Sequence, residues 1–111
     1  MKLMIVGSRT IGNFDLSPYV SSDTRWIITG GADGVDLIAE EYADRHRISK
    51  IVVRPNYRQY GKAAPLKRNE EMVDMADEVL VIWDGTSRGA AYTAEYARRN
   101  NKPLRVITVC L

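Results

Sequence analysis

Short apolar runs alternate along the chain with longer segments in which apolar residues recur every three or four positions. Each run is mostly apolar on both faces and is bounded by glycine, proline or charged residues, a pattern typical of strands buried in a parallel sheet. The runs predict five strands, at residues 2–6, 26–29, 50–54, 78–83 and 104–109.

Most of the segments between the strands have the periodicity of amphipathic helices. Asp33 and Ser87 are expected to cap two of these helices, and Pro65 suits the first turn of another. Asp36 would lie in a first turn, where negative charge is favoured, and Leu66 is expected on the apolar side of its helix. The pattern predicts helices at residues 34–47, 65–77 and 88–100, a weak helix near 16–20 and a loop at 56–64.

The alternation of strands and helices predicts an α/β fold, a Rossmann-like three-layer sandwich with about five parallel strands flanked by helices. The length of 111 residues is typical of one domain, so we expect residues 1–111 to form a single unit. No apolar run approaches the ~20 residues of a membrane span, and no secretory signal pattern is present, which favours a cytoplasmic protein without a membrane partner. The single cysteine, Cys110, is expected to be a buried thiol at a strand end.

Charge is unevenly distributed, although the formal net charge is only +2. A segment from residue 45 to residue 69 is basic and contains no acidic residue. It is either a solvated face or a surface that attracts the phosphates of a nucleotide or a nucleic acid. Its basic residues are Arg45, Arg47, Lys50, Arg54, Arg58, Lys62, Lys67 and Arg68.

Polar, glycine-bearing segments follow three of the predicted strands. Ligands of open parallel sheets bind beyond the carboxyl ends of the strands, so these segments predict one site. They contain Gly7, Ser8 and Arg9 after the first strand, Gly30 and Gly31 after the second, and Asp84, Gly85, Thr86 and Ser87 after the fourth.

The glycines suggest what such a site would bind. Glycine allows close approach of a ligand to the backbone, and the free amides at a helix start attract anions. Gly30, Gly31 and Gly34 are therefore expected to form a phosphate cradle, and the segment DGTSRG a second one. Arg9 and Arg88 are candidates for charge-assisted contacts. Neither the dinucleotide fingerprint nor the P-loop pattern is present, so simple turn geometry remains the alternative for each glycine cluster.

Three segments together resemble the SLOG superfamily, and more narrowly its small YspA-like, YpsA-related members: MIVGSR, ITGGADGVD and RNEEMVDMADEVLVIWDGTSRGA. The resemblance covers nearly the whole chain. The superfamily also includes the LOG phosphoribohydrolases and the Rossmann-like domain of DprA. The resemblance implies a Rossmann-like fold that binds a nucleotide or nucleotide-derived ligand and forms a homodimer or a larger homo-oligomer.

Site residues are also implied by the resemblance, position by position. The first binding loop would be Gly7, Ser8 and Arg9. Phosphate or ribose would be held by Gly30, Gly31, Gly34 and Asp36, with Arg68 and Asn69 reaching the site from the third helix. The glycine–threonine loop of the LOG enzymes would correspond to Asp84, Gly85, Thr86 and Ser87.

The chain departs from the LOG enzymes where their catalytic glutamate is expected. The next glutamate after Thr86 is Glu95, more than two helical turns further on. Whether the protein is an enzyme therefore stays open, and its catalytic residues are unknown. The function expected first is a sensor or sequestering module for a nucleotide. The alternatives are hydrolysis of the N-glycosidic bond of a nucleoside monophosphate, with Asp36 or Asp84 as general base, and single-stranded nucleic-acid binding.

Other polar and aromatic residues have simpler interpretations. His46 is expected to be solvated or to interact with a helix C-terminus. One histidine and one distant cysteine predict no metal cluster, and we expect no cofactor. Tyr57 and Tyr60 either stack on a base or contact the core or another subunit. Asn69, on a stripe expected to face the sheet, needs a backbone or ligand partner.

Overall fold

A computed structural model describes residues 1–110. Its centre is a parallel sheet of five strands in the spatial order β3-β2-β1-β4-β5. The strands are β1 Lys2–Gly7, β2 Trp26–Thr29, β3 Ser49–Val52, β4 Glu78–Trp83 and β5 Leu104–Thr108. The predicted Rossmann-like α/β architecture is confirmed, and the predicted bounds of β2 and β4 match the observed ones.

Helices cover both faces of the sheet. They are α1 Val35–Arg45, α2 Tyr57–Tyr60, α3 Ala64–Met75 and α4 Arg88–Arg99, with short 3₁₀ turns at Ser17–Tyr19 and Gly61–Ala63. The prediction of a loop throughout residues 56–64 was wrong. Asn56 Oδ1 accepts from the amide of Gln59 (3.1 Å) and so caps the helix α2. The segment that forms α2 has no apolar periodicity, so the sequence pattern did not predict a helix there.

The core consists of one apolar cluster on each side of the sheet. Leu3 and Ile5 of β1 pack with α1, whereas Met4 and Val6 of the same strand pack with α3 and α4. Alternate residues of one strand thus enter opposite clusters, which explains why the strands are apolar on both faces. No helix within residues 1–110 combines the length and apolar character needed to cross a membrane.

Three local predictions were wrong. The α1 N-cap is Gly34, not Asp33, and no side chain caps it from that position. Leu66 is exposed, because in the first turn of α3 it borders an open cleft. Cys110 is exposed because it lies beyond the end of the edge strand β5. Ser87, by contrast, caps α4 as predicted, accepting from the Ala90 amide (3.4 Å).

The strand order places a topological switch point between β1 and β4. From β1 the chain moves outward to β2 and β3, then crosses back to β4 on the other side of β1 and continues to β5. The loops that leave the carboxyl ends of β1 and β4 therefore diverge to opposite faces. A crevice between them is where open α/β sheets bind ligands.

Candidate functional site

A cleft of about 460 Å³ opens at this switch point. The loops after β1, β2 and β4 line it, together with the first turns of α3 and α4. The predicted site residues that line the cleft are Gly7, Arg9, Asp36, Arg68, Asn69, Asp84, Thr86 and Ser87.

Next to the cleft lies a smaller depression of about 200 Å³, which we call the side lobe. It shares Arg9, Ala32 and Arg68 with the cleft, so these three residues border both spaces. Of the remaining predicted residues, Ser8, Gly34 and Gly85 line neither space. The side lobe is lined by Arg9, Gly30, Gly31, Ala32, Arg54, Pro55, Tyr57 and Arg68.

Two of the backbone amides after β2 already donate to a carboxylate of the protein. Asp36 Oδ2 accepts a hydrogen bond from the Gly30 amide (3.0 Å) and another from the Ala32 amide (3.3 Å). The carboxylate of Asp36, in the first turn of α1, thus folds back onto the loop that precedes its own helix. An anion placed here would compete with a carboxylate that is already bound.

The loop after β4 is arranged in the same way. Asp84 Oδ1 accepts from the amides of Thr86 (2.9 Å) and Ser87 (2.8 Å), while its Oδ2 accepts from the Thr10 hydroxyl (2.7 Å). The Thr86 amide, more than the Thr10 hydroxyl or the Ser87 amide, holds the pKa of Asp84 far below its usual range. Asp84 therefore remains ionised and holds this loop closed.

The expectation that main-chain amides form two open phosphate cradles is wrong for the amides of Gly30, Ala32, Thr86 and Ser87, because two carboxylates already accept from them. Side-chain donors for an anion are also present. Arg9 and Arg68 both line the cleft. Guanidinium groups bind phosphate through charged, forked hydrogen bonds, so these arginines give the cleft the character of an anion-binding site.

Two of the glycines after the strands serve packing. A Cβ on Gly7 would lie 2.0 Å from the carbonyl oxygen of Ile82 on the neighbouring strand. Gly34 has a φ of 75°, and a Cβ there would lie 2.4 Å from the carbonyl oxygen of Ser8. The buried Ser8 hydroxyl also accepts from the Asp84 amide (2.9 Å). These residues join the loops that form the cleft.

Arg68 is buried, with 7% of its surface exposed. Its Nη1 donates to the carbonyl oxygens of Gly30 (2.5 Å) and Val53 (3.4 Å), and its Nε donates to Asn69 Oδ1 (2.7 Å). Burial lowers the pKa of Arg68, and the neighbouring Asp36 opposes that change. The hydrogen-bond partner of Asn69 is therefore the Arg68 side chain, whereas the sequence predicted a backbone group or a ligand.

Asp36 is a buried carboxyl group at the inner wall of the cleft. Burial raises its pKa to about 6, against the opposing effects of the Ala32 and Gly30 amides and of Arg68, while Glu40 raises it further. Both of its hydrogen bonds within residues 1–110 use Oδ2. The other oxygen, Oδ1, is therefore available to accept from a bound molecule.

Replacing Asp36 by asparagine is expected to remove a pH-dependent loss of stability. The pKa of Asp36 is raised from 3.8 to about 6 on folding, so the folded protein holds this proton more tightly and loses stability as pH rises between those values. The unfolding free energy of the wild type should fall by about 3 kcal/mol relative to that of Asp36→Asn across this window. Urea unfolding at about pH 3 and about pH 7 measures the change.

The exposed Asp33→Asn is the matched control, because it removes one charge from the same loop without touching the Gly30 or Ala32 amides. Its stability should follow the wild-type pH profile. A constant difference between Asp36→Asn and the wild type at both pH values would contradict the assignment of this titration to Asp36.

Sequence reasoning missed two threonines that line the cleft, Thr10 and Thr93. Thr10 directly follows the predicted first loop, and its hydroxyl bonds Asp84. Thr93 is buried one turn into α4 and donates to the carbonyl oxygen of Gly89 (2.9 Å). The signal for Thr93 was its helical spacing from Gly89 and Ala90, which places the three residues on one face.

The basic segment of residues 45–69 is divided among different parts of the molecule. Arg54 and Arg68 line the side lobe, whereas Arg47 lines a separate cavity at the opposite edge of the sheet. Lys50 pairs with Asp44 (3.0 Å) and Lys67 with Glu70 (3.7 Å). Within the basic segment, the positive charge at the cleft and the side lobe therefore comes from Arg54 and Arg68.

Comparisons of the chain with protein-family models, with curated proteins and with solved structures gave no match. What the protein binds is therefore inferred from the side chains of the cleft and the side lobe.

Proposed function

We propose that this protein binds a nucleotide or a nucleotide-derived ligand in the cleft, as a sensor or sequestering module. The observation that carries the proposal is that Arg9 and Arg68 line the same crevice as the carboxylate of Asp36, at the switch point between β1 and β4. Membership of the SLOG superfamily, which the sequence resemblance suggests, is part of the same proposal.

The two kinds of charge in the cleft match the two kinds of group in a nucleotide. Phosphate oxygens accept from the guanidinium groups of Arg9 and Arg68. Ribose hydroxyls are donors, and Asp36 Oδ1 is an acceptor within the same cleft. A cleft with cations alone would suit any anion, whereas the nearby carboxylate favours a phosphate ester that also carries hydroxyl groups.

Titration calorimetry with AMP, ADP, GMP, GDP, cyclic nucleotides and ADP-ribose tests the proposal. We expect saturable binding of at least one of them, at one site per chain. Arg58→Gln is a suitable control variant, because Arg58 is exposed and lines neither the cleft nor the side lobe. The absence of binding by every nucleotide at about 1 mM would reject the proposed function.

A second candidate function is hydrolysis of the N-glycosidic bond of a bound nucleoside monophosphate. The raised pKa and the free oxygen of Asp36 favour it, since a carboxylate of this kind can take a proton from an attacking water. The water oxygen would bond to the anomeric carbon as the C–N bond breaks, and the proton taken up by Asp36 would pass to the departing base, giving free base and ribose 5-phosphate. Chromatography of the AMP and GMP calorimetry samples decides between the candidates, because only hydrolysis releases free base.

A further inference from the structure

The side lobe contains three arginines and no acidic residue. We infer that it binds a second phosphate group, so that the ligand of this protein carries a diphosphate and not a single phosphate. The inference rests on the proposed function and adds the class of nucleotide. It also gives a role to Arg54, which lines the side lobe but not the cleft.

Two of the arginines are held side by side by consecutive carbonyl groups. Arg68 Nη1 donates to the carbonyl oxygen of Gly30 (2.5 Å), and Arg54 Nη1 donates to that of Gly31 (3.1 Å). Gly31 has a φ of 72°. A Cβ on Gly31 would lie 2.5 Å from Arg54 Nη1, so the absence of a side chain there makes room for the guanidinium group.

The positive charge of the side lobe is only partly balanced by the protein, through Asp36 beside Arg68. Within residues 1–110, Arg9, Arg54 and Arg68 form no ion pair with a carboxylate, whereas Lys50 and Lys67 each have one. Burial lowers the pKa of Arg68 most, and Asp36 and then Tyr57 oppose this change. Arg9 and Arg54 lower it further by like-charge repulsion, which shows that the three guanidinium groups lie close together. Three cations that repel one another around an open space are best compensated by a multiply charged anion.

The geometry also gives the order of the phosphates. Arg9 and Arg68 border both spaces and Arg54 only the side lobe, so the phosphate nearer the ribose would lie between Arg9 and Arg68. The second phosphate would lie beside Arg54. Tyr57, which is 59% exposed, also lines the side lobe.

Calorimetry with AMP and ADP, and in parallel with GMP and GDP, tests the inference. We expect the wild type to bind the diphosphate of the preferred base about 10- to 100-fold more tightly than the monophosphate, as one charged hydrogen-bonded contact provides. In Arg54→Gln this ratio should fall to about 3 or less, because diphosphate affinity falls much more than monophosphate affinity. Arg58→Gln, on the neighbouring helix α2, should keep the wild-type ratio.

Arg54→Lys retains the charge without the forked donors and should give an intermediate ratio of diphosphate to monophosphate affinity. This variant can replace Arg54→Gln in the test if Arg54→Gln folds poorly. Equal affinities for mono- and diphosphate in the wild type would overturn the inference and leave the proposed function standing. A wild-type ratio preserved in Arg54→Gln would overturn the role of the side lobe. Failure of all nucleotides to bind would overturn both the inference and the proposed function.

Discussion

Replacing Arg68 by methionine is expected to weaken nucleotide binding by at least about 100-fold. Arg68 is the buried cation shared by the cleft and the side lobe, so its loss removes a charged donor that both phosphates would contact. Methionine fills much of the same volume without burying an unpaired charge. The change also removes the cation that helps to keep Asp36 ionised, so the pKa of Asp36 should rise further.

The matched control is Lys67→Met, the adjacent position on α3, where the side chain is half exposed and pairs with Glu70. Its affinity should stay within about 2-fold of the wild type. Calorimetry measures both variants, and thermal unfolding shows whether Arg68→Met is folded under the conditions used. If Arg68→Met were folded and bound nucleotide as tightly as the wild type, Arg68 would not contribute to binding, and its assignment to the proposed site would be wrong.

The fold was predictable because its strongest signals are local. The strands β2 and β4 are short apolar runs with clear boundaries, and burial on both faces leaves little choice but a parallel sheet covered by helices. The helix α2 was not predictable from the same signals. It is four residues long, none of them buried, and it depends on the side-chain cap of Asn56.

The composition of the site was partly predictable for a topological reason. Loops that follow parallel strands share one edge of the sheet, so Arg9 and Asp84 were expected to converge, and both line the cleft. Asp36, which only the family resemblance implied, lines it as well. The burial of Arg68 was not predictable, because arginine within a helix is usually exposed. Its burial depends on the carbonyl oxygens of Gly30 and Val53, which the fold brings together from distant parts of the chain.

The sequence pattern also could not predict which acceptors the backbone amides of these loops bind. A glycine-rich turn before a helix looks the same whether its amides face a ligand or an internal carboxylate. The difference lies in the direction of the Asp36 and Asp84 side chains, which tertiary packing determines. Acidic residues close to such turns are therefore candidates for internal caps as well as for ligand contacts.

A glycine after a strand can make room for a ligand or can serve packing within the protein, and Gly34 distinguishes these two interpretations. Gly34→Ala is expected to destabilise the protein by about 4 kcal/mol or more, whether or not a ligand is present. Its φ of 75° strains any other residue, and its Cβ would meet the backbone of Ser8 and Arg9, at 2.4 Å and 2.6 Å, where no flexible side chain can move away. Such a loss is a large fraction of the ~5–15 kcal/mol that stabilises a typical domain.

Gly85→Ala supplies the matched control for this experiment. Gly85 has a φ of 88° but open space around the Cβ position, so alanine there should cost only the backbone strain, about 1–2 kcal/mol. Urea unfolding of both variants separates strain from collision. If Gly34→Ala were as stable as Gly85→Ala but bound nucleotide poorly, Gly34 would be a ligand contact as the sequence first suggested. A large loss of stability at Gly34 alone would mean that it is needed to hold the loop after β1 against the start of α1, where Arg9 and Asp36 enter the cleft.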